Sequence, residues 1–134
     1  MARSKIPDVL EMRRLKFDAG VAAAEKDAVA EALRAEGRAS EALLLFEGRA
    51  DHPSLEADRR DAIRHGYGWR LLAMKRLGVA VTDDEVRACA GAAETAGRWF
   101  EANRCYTTLG DAEAVARIAP NLPGYKPAIP ANKV

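Results

Sequence analysis

The stretch Gly37-Arg38-Ala39-Ser40-Glu41-Ala42-Leu43-Leu44-Leu45-Phe46 returns sixty residues further on as Gly97-Arg98-Trp99-Phe100-Glu101-Ala102-Asn103-Arg104-Cys105-Tyr106. Gly, Arg, Glu, Ala and an aromatic hold the same register in both copies, and Asp51 matches Asp111 at the same offset. Upstream, Val29, Ala30 and Leu33 align with Cys89, Ala90 and Ala93. This many matches in one register mark an internally repeated unit. Each part of the pattern has a physical sense. Glycine turns the chain between two helices at an angle that few other residues allow. The alanine five residues on sits where the helices touch. The aromatic lies one helical turn further along the same face and fills the space where they diverge.

The order Gly37, Ala42, Phe46, Pro53, repeated as Gly97, Ala102 and Tyr106 without the proline, resembles the tetratricopeptide repeat family. The resemblance covers about residues 23–55 and 83–115. It implies an all-α fold in which antiparallel helix pairs form a short tetratricopeptide-like solenoid of about six to seven helices. It departs from the family in two ways. The units stand sixty residues apart instead of in tandem, and Ala30 and Ala90 replace the glycine of the first helix. Two units are fewer than the about three that such arrays need, so the other helices must act as caps.

Composition agrees with helix. Of the 134 residues 49% are hydrophobic but only 6% aromatic, and an Ala-rich core with some Leu, Val and Met suits helix packed on helix better than a β-sandwich. Residues 1–119 are read as one helical-repeat domain and 120–134 as an extended, Pro-containing tail. Ser4 is read as capping a first helix that ends near Gly20, with Pro7 in its opening turn. Further helices are expected over 23–36 and 39–49, the latter broken by Asp51-His52-Pro53. One long basic stretch is expected from Ser54 to Leu77, where Gly66-Tyr67-Gly68 is either a kink or a point of close approach. Thr82-Asp83-Asp84-Glu85 has the form of a capping box and starts a helix ending near Ala96-Gly97. Helices over 99–109 and 112–119 follow.

The net charge of +1 gives no argument for nucleic acid or anionic membrane from gross basicity. No apolar run approaches the ~20 residues of a membrane span, and the N-terminus lacks the apolar core of a signal peptide, so a cytoplasmic location is expected. Charge nevertheless alternates along the chain. Residues 55–77 carry six basic and three acidic groups, while 21–54 and 78–119 each carry four and seven.

Chemistry is sparse. His52, His65, Cys89 and Cys105 are the only histidines and cysteines, and none stands at a metal-ligand spacing. No phosphate loop, dinucleotide fingerprint or nucleophile elbow occurs. Cys89, aligned with Val29, reads as a core residue, and Cys105 as partly buried. The chain is therefore expected to be no enzyme, without metal or cofactor.

The leading expectation is a protein-binding scaffold or adaptor that takes a peptide or helix of another protein, with self-association as a further outcome. The family resemblance implies that the first helix of each pair lines the binding surface. With Val29, Leu33, Val86, Cys89, Ala90 and Ala93 facing the core, the candidate partner face is Asp27, Glu31 and Arg34, then Asp84, Arg87 and Glu94. Trp69, off the main apolar stripe, is a candidate anchor, Trp99 is expected in the core, and Tyr125 on the domain or on a second copy. The alternative is a nucleic-acid- or ribosome-associated factor that uses Arg59, Arg60, Arg64, Arg70, Lys75 and Arg76. An enzyme or small-ligand binder built around His65 or Arg64 ranks third.

Overall fold

The computed structural model describes residues 8–17, 20 and 22–125. Among these it contains eight α-helices, two 3₁₀ turns and no strand. The helices are α1 (Val9–Phe17), α2 (Ala23–Ala35), α3 (Ala39–Ala42), α4 (Ser54–His65), α5 (Gly68–Arg76), α6 (Asp83–Thr95), α7 (Trp99–Leu109) and α8 (Ala112–Ile118). The 3₁₀ turns cover Leu43–Phe46 and Ala119–Asn121. No helix of the described residues is long and apolar enough to cross a membrane. The chain forms two compact units, residues 1–55 with 73–79 and residues 56–72 with 80–134, so that α5 contributes its start to the second unit and its end to the first.

The first unit is built around α2. Ala30 and Leu33 of α2, Ala42 of α3, and Leu43, Leu45 and Phe46 of the following turn are all buried, as are Leu15, Leu55 and Met74. The expected helix over 39–49 is α-helical for four residues and then tightens to 3₁₀. In that winding residues i and i+3 eclipse, so Leu43 and Phe46 point the same way and both reach the core, while Leu44 stays exposed. Gly48, at φ 77°, closes the element. At the start of the unit Asp8 caps α1, its carboxylate accepting the Glu11 amide at 2.8 Å. The cap expected at Ser4, and Pro7, lie outside the described residues.

The second unit centres on α6 and α7, which pack on each other, with α8 beside α7. Thr82 and Glu85 form the capping box read from the sequence: the Thr82 hydroxyl accepts the Glu85 amide at 3.2 Å and the Glu85 carboxylate accepts the Thr82 amide at 3.0 Å. Val86, Cys89, Ala90 and Ala93 of α6, Ala102, Cys105 and Tyr106 of α7, and Ala114 and Ile118 of α8 are buried. Cys105 is thus fully inside, where sequence reasoning placed it only partly. The Cys89 thiol donates to the Ala62 carbonyl at 3.4 Å, and the neighbouring Cys105 sulfur and burial push it well above the usual thiol range.

The two repeat copies end their first helices in the same way. Gly37 and Gly97 sit at φ 77° and 74°. The Arg38 and Arg98 amides donate to the Leu33 and Ala93 carbonyls, each at 2.8 Å, the crossed bonds of a Schellman stop.

The stretch expected as one element from Ser54 to Leu77 is two helices, which raises the count above the six or seven expected. Gly66, at φ 76°, ends α4, and a Cβ there would lie 2.3 Å from the Ala93 amide nitrogen. The adjacent Gly68 starts α5 where a Cβ would meet the Glu101 carbonyl oxygen and the Cys105 sulfur, both at 2.8 Å. Gly66-Tyr67-Gly68 is therefore both a break and a close approach, to α6 on one side and α7 on the other. The tail expected to be extended from Pro120 first makes a 3₁₀ turn, Ala119–Asn121. It then extends at Leu122, with φ −78° and ψ 135°. Pro127 and Pro130 lie outside the described residues.

Candidate partner-binding cleft

The close approach of Gly68 to α7 sets the first turn of α5 beside the first turn of α7. Between them and the chain after α8 lies a cleft of about 380 Å³, lined by Trp69, Gly97, Arg98, Trp99, Phe100, Glu101, Asn121 and Pro123. Trp69 is 58% and Phe100 51% exposed, high values for rings of this size, and Trp99 is half-buried. Its two charged side chains, Arg98 and Glu101, stand 3.9 Å apart and offset each other. The Arg98 guanidinium also lies 4.7 Å over the Tyr67 ring, whose neighbours are the Arg70 guanidinium at 4.5 Å and the stacked His65 ring at 5.5 Å. This cation-covered tyrosine holds Arg98 on the protein side of the cleft.

Trp69 is the only sequence-derived candidate found in this cleft. Trp99, expected in the core, is half-exposed on its wall, and Phe100 was missed. A signal for both existed: in the sixty-residue register Trp99 and Phe100 replace Ala39 and Ser40. Two large aromatics where the sister copy has small and polar residues are not needed to pack the repeat.

Four of the six residues on the face expected to meet a partner, Asp27, Arg34, Arg87 and Glu94, bond to a later segment of the chain. In the first unit Asp27 accepts from the Arg49 guanidinium at 2.5 Å and lies 3.2 Å from His52 Nε2. His52 Nδ1 accepts the Ser54 amide at 3.2 Å, which leaves Nε2 to carry the proton toward Asp27. Burial pushes the Asp27 carboxyl up, but the bonds from Arg49 and His52 outweigh it and hold the group below the usual range. Arg34 donates to the Ser54 hydroxyl at 3.3 Å and lies over the Phe46 ring at 5.4 Å, with Arg49 at 4.9 Å. Glu31 is exposed and 3.6 Å from Arg34.

At the aligned positions the second unit carries the opposite signs and again bonds them to the segment that follows. Arg87, which aligns with Asp27, donates to Asp111 at 2.8 Å, and Asp111 also caps α8 by accepting the Ala114 amide at 3.1 Å. These bonds, from Ala114 first and then Arg87, hold Asp111 below the usual carboxylate range. Glu94, which aligns with Arg34, accepts from Arg117 at 2.5 Å and from the Tyr106 hydroxyl at 2.7 Å, and is likewise held low, by Arg117 above all. Asp84 is exposed in the first turn of α6. Asp27, Arg34, Arg87 and Glu94 thus tie each first helix to the segment after it.

The basic residues divide between the two helices. Arg59 pairs with Glu56 and Glu85, Arg60 lies 3.3 Å from Glu56, and Arg70 lies 3.6 Å from Asp61. Arg64 is exposed on α4, and Lys75 and Arg76 are exposed at the end of α5, in the other unit. His65 lies 2.9 Å from the Asp61 carboxylate, and Tyr125 is exposed. A second hollow, of about 360 Å³, is lined by small residues at the end of α7 and along α8, among them Gly110, Ala112, Val115, Ala116 and Ala119. Among the described residues no group of His, Cys, Asp and Glu side chains could hold a metal ion. No family model, curated protein or solved structure matches the chain.

Proposed function

We propose that the chain is a non-catalytic, tetratricopeptide-like helical-repeat scaffold, acting in the cytoplasm, that binds a segment of a partner protein in the aromatic cleft of its second unit. The observation that carries this reading is the presentation of Trp69 and Phe100, each more than half exposed, around one concave surface. Rings of this size gain most from burial, and tryptophan is the side chain most enriched where binding energy concentrates. The internal pairing of Asp27, Arg34, Arg87 and Glu94 supports reading the binding surface here instead of on the face first expected. A peptide bound here would leave those networks intact.

The test is affinity capture from the host with the tagged chain, comparing wild type with Trp69→Ala and Phe100→Ala, at low and high salt and with and without nuclease. Discrete proteins that survive nuclease and salt and disappear with both variants are the expected result. Capture that is indifferent to both variants would place the contact elsewhere. Nucleic acid lost at high salt would favour the basic residues instead.

A further inference from the structure

We infer that Ser54 is a self-acylating serine, a covalent modification site that takes the acyl group of an activated ester or thioester with His52 as its base. The site belongs to the first unit and the aromatic cleft to the second. A single acyl transfer to the chain needs no turnover and is compatible with a scaffold.

Three side chains form a relay. The Ser54 hydroxyl lies 2.7 Å from His52 Nδ1, and His52 Nε2 lies 3.2 Å from the Asp27 carboxylate. The backbone sets the direction of the protons. Nδ1 accepts the Ser54 amide at 3.2 Å, so it is the unprotonated nitrogen and can also receive the hydroxyl proton. Nε2 then directs its own proton to Asp27. The order is serine, imidazole, carboxylate, as in hydrolytic relays, with the two ring nitrogens exchanged.

The imidazole is held from both sides. The Phe46 ring lies 4.9 Å from it, and Asp27 is itself fixed by the Arg49 guanidinium at 2.5 Å. Burial pushes the Asp27 carboxyl up, but the bonds from Arg49 and His52 keep it ionised, so it steadies an imidazolium. Positive charge waits at the hydroxyl. The Arg34 guanidinium donates to Ser54 Oγ at 3.3 Å, while its carboxylate neighbour Glu31, at 3.6 Å, is largely exposed. Ser54 is also the first residue of the twelve-residue α4, at the positive end of its dipole. Both features favour the negative charge that develops on a carbonyl oxygen under attack. Ser54 and His52 are half-buried, which orders the ring and leaves the hydroxyl open to a small electrophile.

The step balances without a further reactant. As Ser54 Oγ attacks the carbonyl carbon, its proton passes to Nδ1 and the Oγ–C bond forms. The bond from that carbon to the alcohol or thiol then breaks, and the leaving oxygen or sulfur takes the proton from Nδ1. Ser54 is left as an ester and His52 as the neutral imidazole.

The chain carries its own control, because Ser4, Ser40 and Ser54 are its only serines and Ser40 is exposed. The full chain is treated in parallel with a fluorophosphonate and with p-nitrophenyl acetate, and the labelled serine is located by peptide mass spectrometry. Ser54 should react at least about a hundredfold faster than Ser40, the scale of a positioned base, and denaturant should abolish the preference. His52→Ala should slow labelling of Ser54 by at least about tenfold, and added imidazole should restore part of the rate, which separates a lost base from a lost fold. Asp27→Asn, which no longer fixes the tautomer, should slow it as well. Equal rates at Ser40 and Ser54, or undiminished labelling of Ser54 in His52→Ala, would overturn the assignment. Neither result bears on the cleft, which the capture experiment tests separately.

Discussion

Replacing Gly66 by alanine should be far more damaging than the same change at Gly97, although the two glycines share a backbone conformation. Both lie in the left-handed region, at φ 76° and 74°, where an L side chain costs about 1–2 kcal/mol. Both substitutions also stiffen the unfolded chain, which returns about 0.4–1 kcal/mol in each case. These contributions cancel in the comparison, leaving the surroundings. At Gly97 a Cβ meets nothing within 4 Å, whereas at Gly66 it would lie 2.3, 2.5 and 2.7 Å from backbone atoms of Ala93 and Ala92. Backbone cannot swing aside as a side chain can, so α4 must back away from α6 and open the contacts around Ala62, Cys89 and Ala93. Overpacking of this kind costs about 1–3 kcal/mol beyond the conformational cost. Gly97→Ala should therefore lose about 0.5–1 kcal/mol and Gly66→Ala about 2–4 kcal/mol. Urea unfolding followed by tryptophan emission reads this directly, because Trp69 and Trp99 both belong to the second unit. With a slope of about 1–1.5 kcal/mol per molar urea, the two midpoints should differ by roughly 1–2 M. Midpoints within 0.3 M, about the precision of such fits, would refute the close approach of α4 to α6.

Other predictions are smaller in scope. Tyr106→Phe removes a hydroxyl that donates to the Glu94 carboxylate at 2.7 Å and should cost about 1–2 kcal/mol in the same urea assay. Glu94 and Asp111 are both held below their ordinary values of 4.5 and 3.8, so the stability they contribute is complete above those values. It should be lost as pH falls below about 4, and the loss should shrink in Glu94→Gln; an undiminished acid transition in that variant would contradict the assignment. Ala102→Leu, at a fully buried helix contact, should cost about 2–3 kcal/mol, while Ala112→Leu, on the exposed face of α8, should stay within about 0.5 kcal/mol, by thermal melts. Cys89 and Cys105 are both 0% exposed and should resist a thiol-specific reagent until denaturant opens the second unit.

Much of the helix content is legible in the sequence, because its signals are local. Thr82 with Glu85 declares a helix start, and Gly37, Gly97 and Gly110 declare helix stops, each through the backbone of its immediate neighbours. What sequence reading misses depends on distant residues. Nothing near Gly66 announces that Ala93 will lie against it, so one basic stretch turned out to be two helices. Leu43-Leu44-Leu45-Phe46 carries three consecutive leucines, and whether it continues as α or tightens to 3₁₀ is settled by which of them the core can take. The pairing of the expected partner face is hidden for the same reason: Asp27, Arg34, Arg87 and Glu94 look available on a helical wheel, but their partners lie 22, 20, 24 and 23 residues away in the chain. Trp99 and Phe100 were open to a finer reading, because the repeat register sets them against Ala39 and Ser40.

The exchanged signs of the two repeat copies have a consequence for how the chain finds its fold. Duplicated segments share their apolar faces, so early in folding either first helix fits either second one almost equally well by shape alone. Here the charges separate the two pairings. If α2 took the place of α6, Asp27 would approach Asp111 and Arg34 would approach Arg117, two like-charge encounters in place of two ion pairs. A chain that carries one pattern twice thus bears an address on each copy, written in the sign of two side chains seven residues apart.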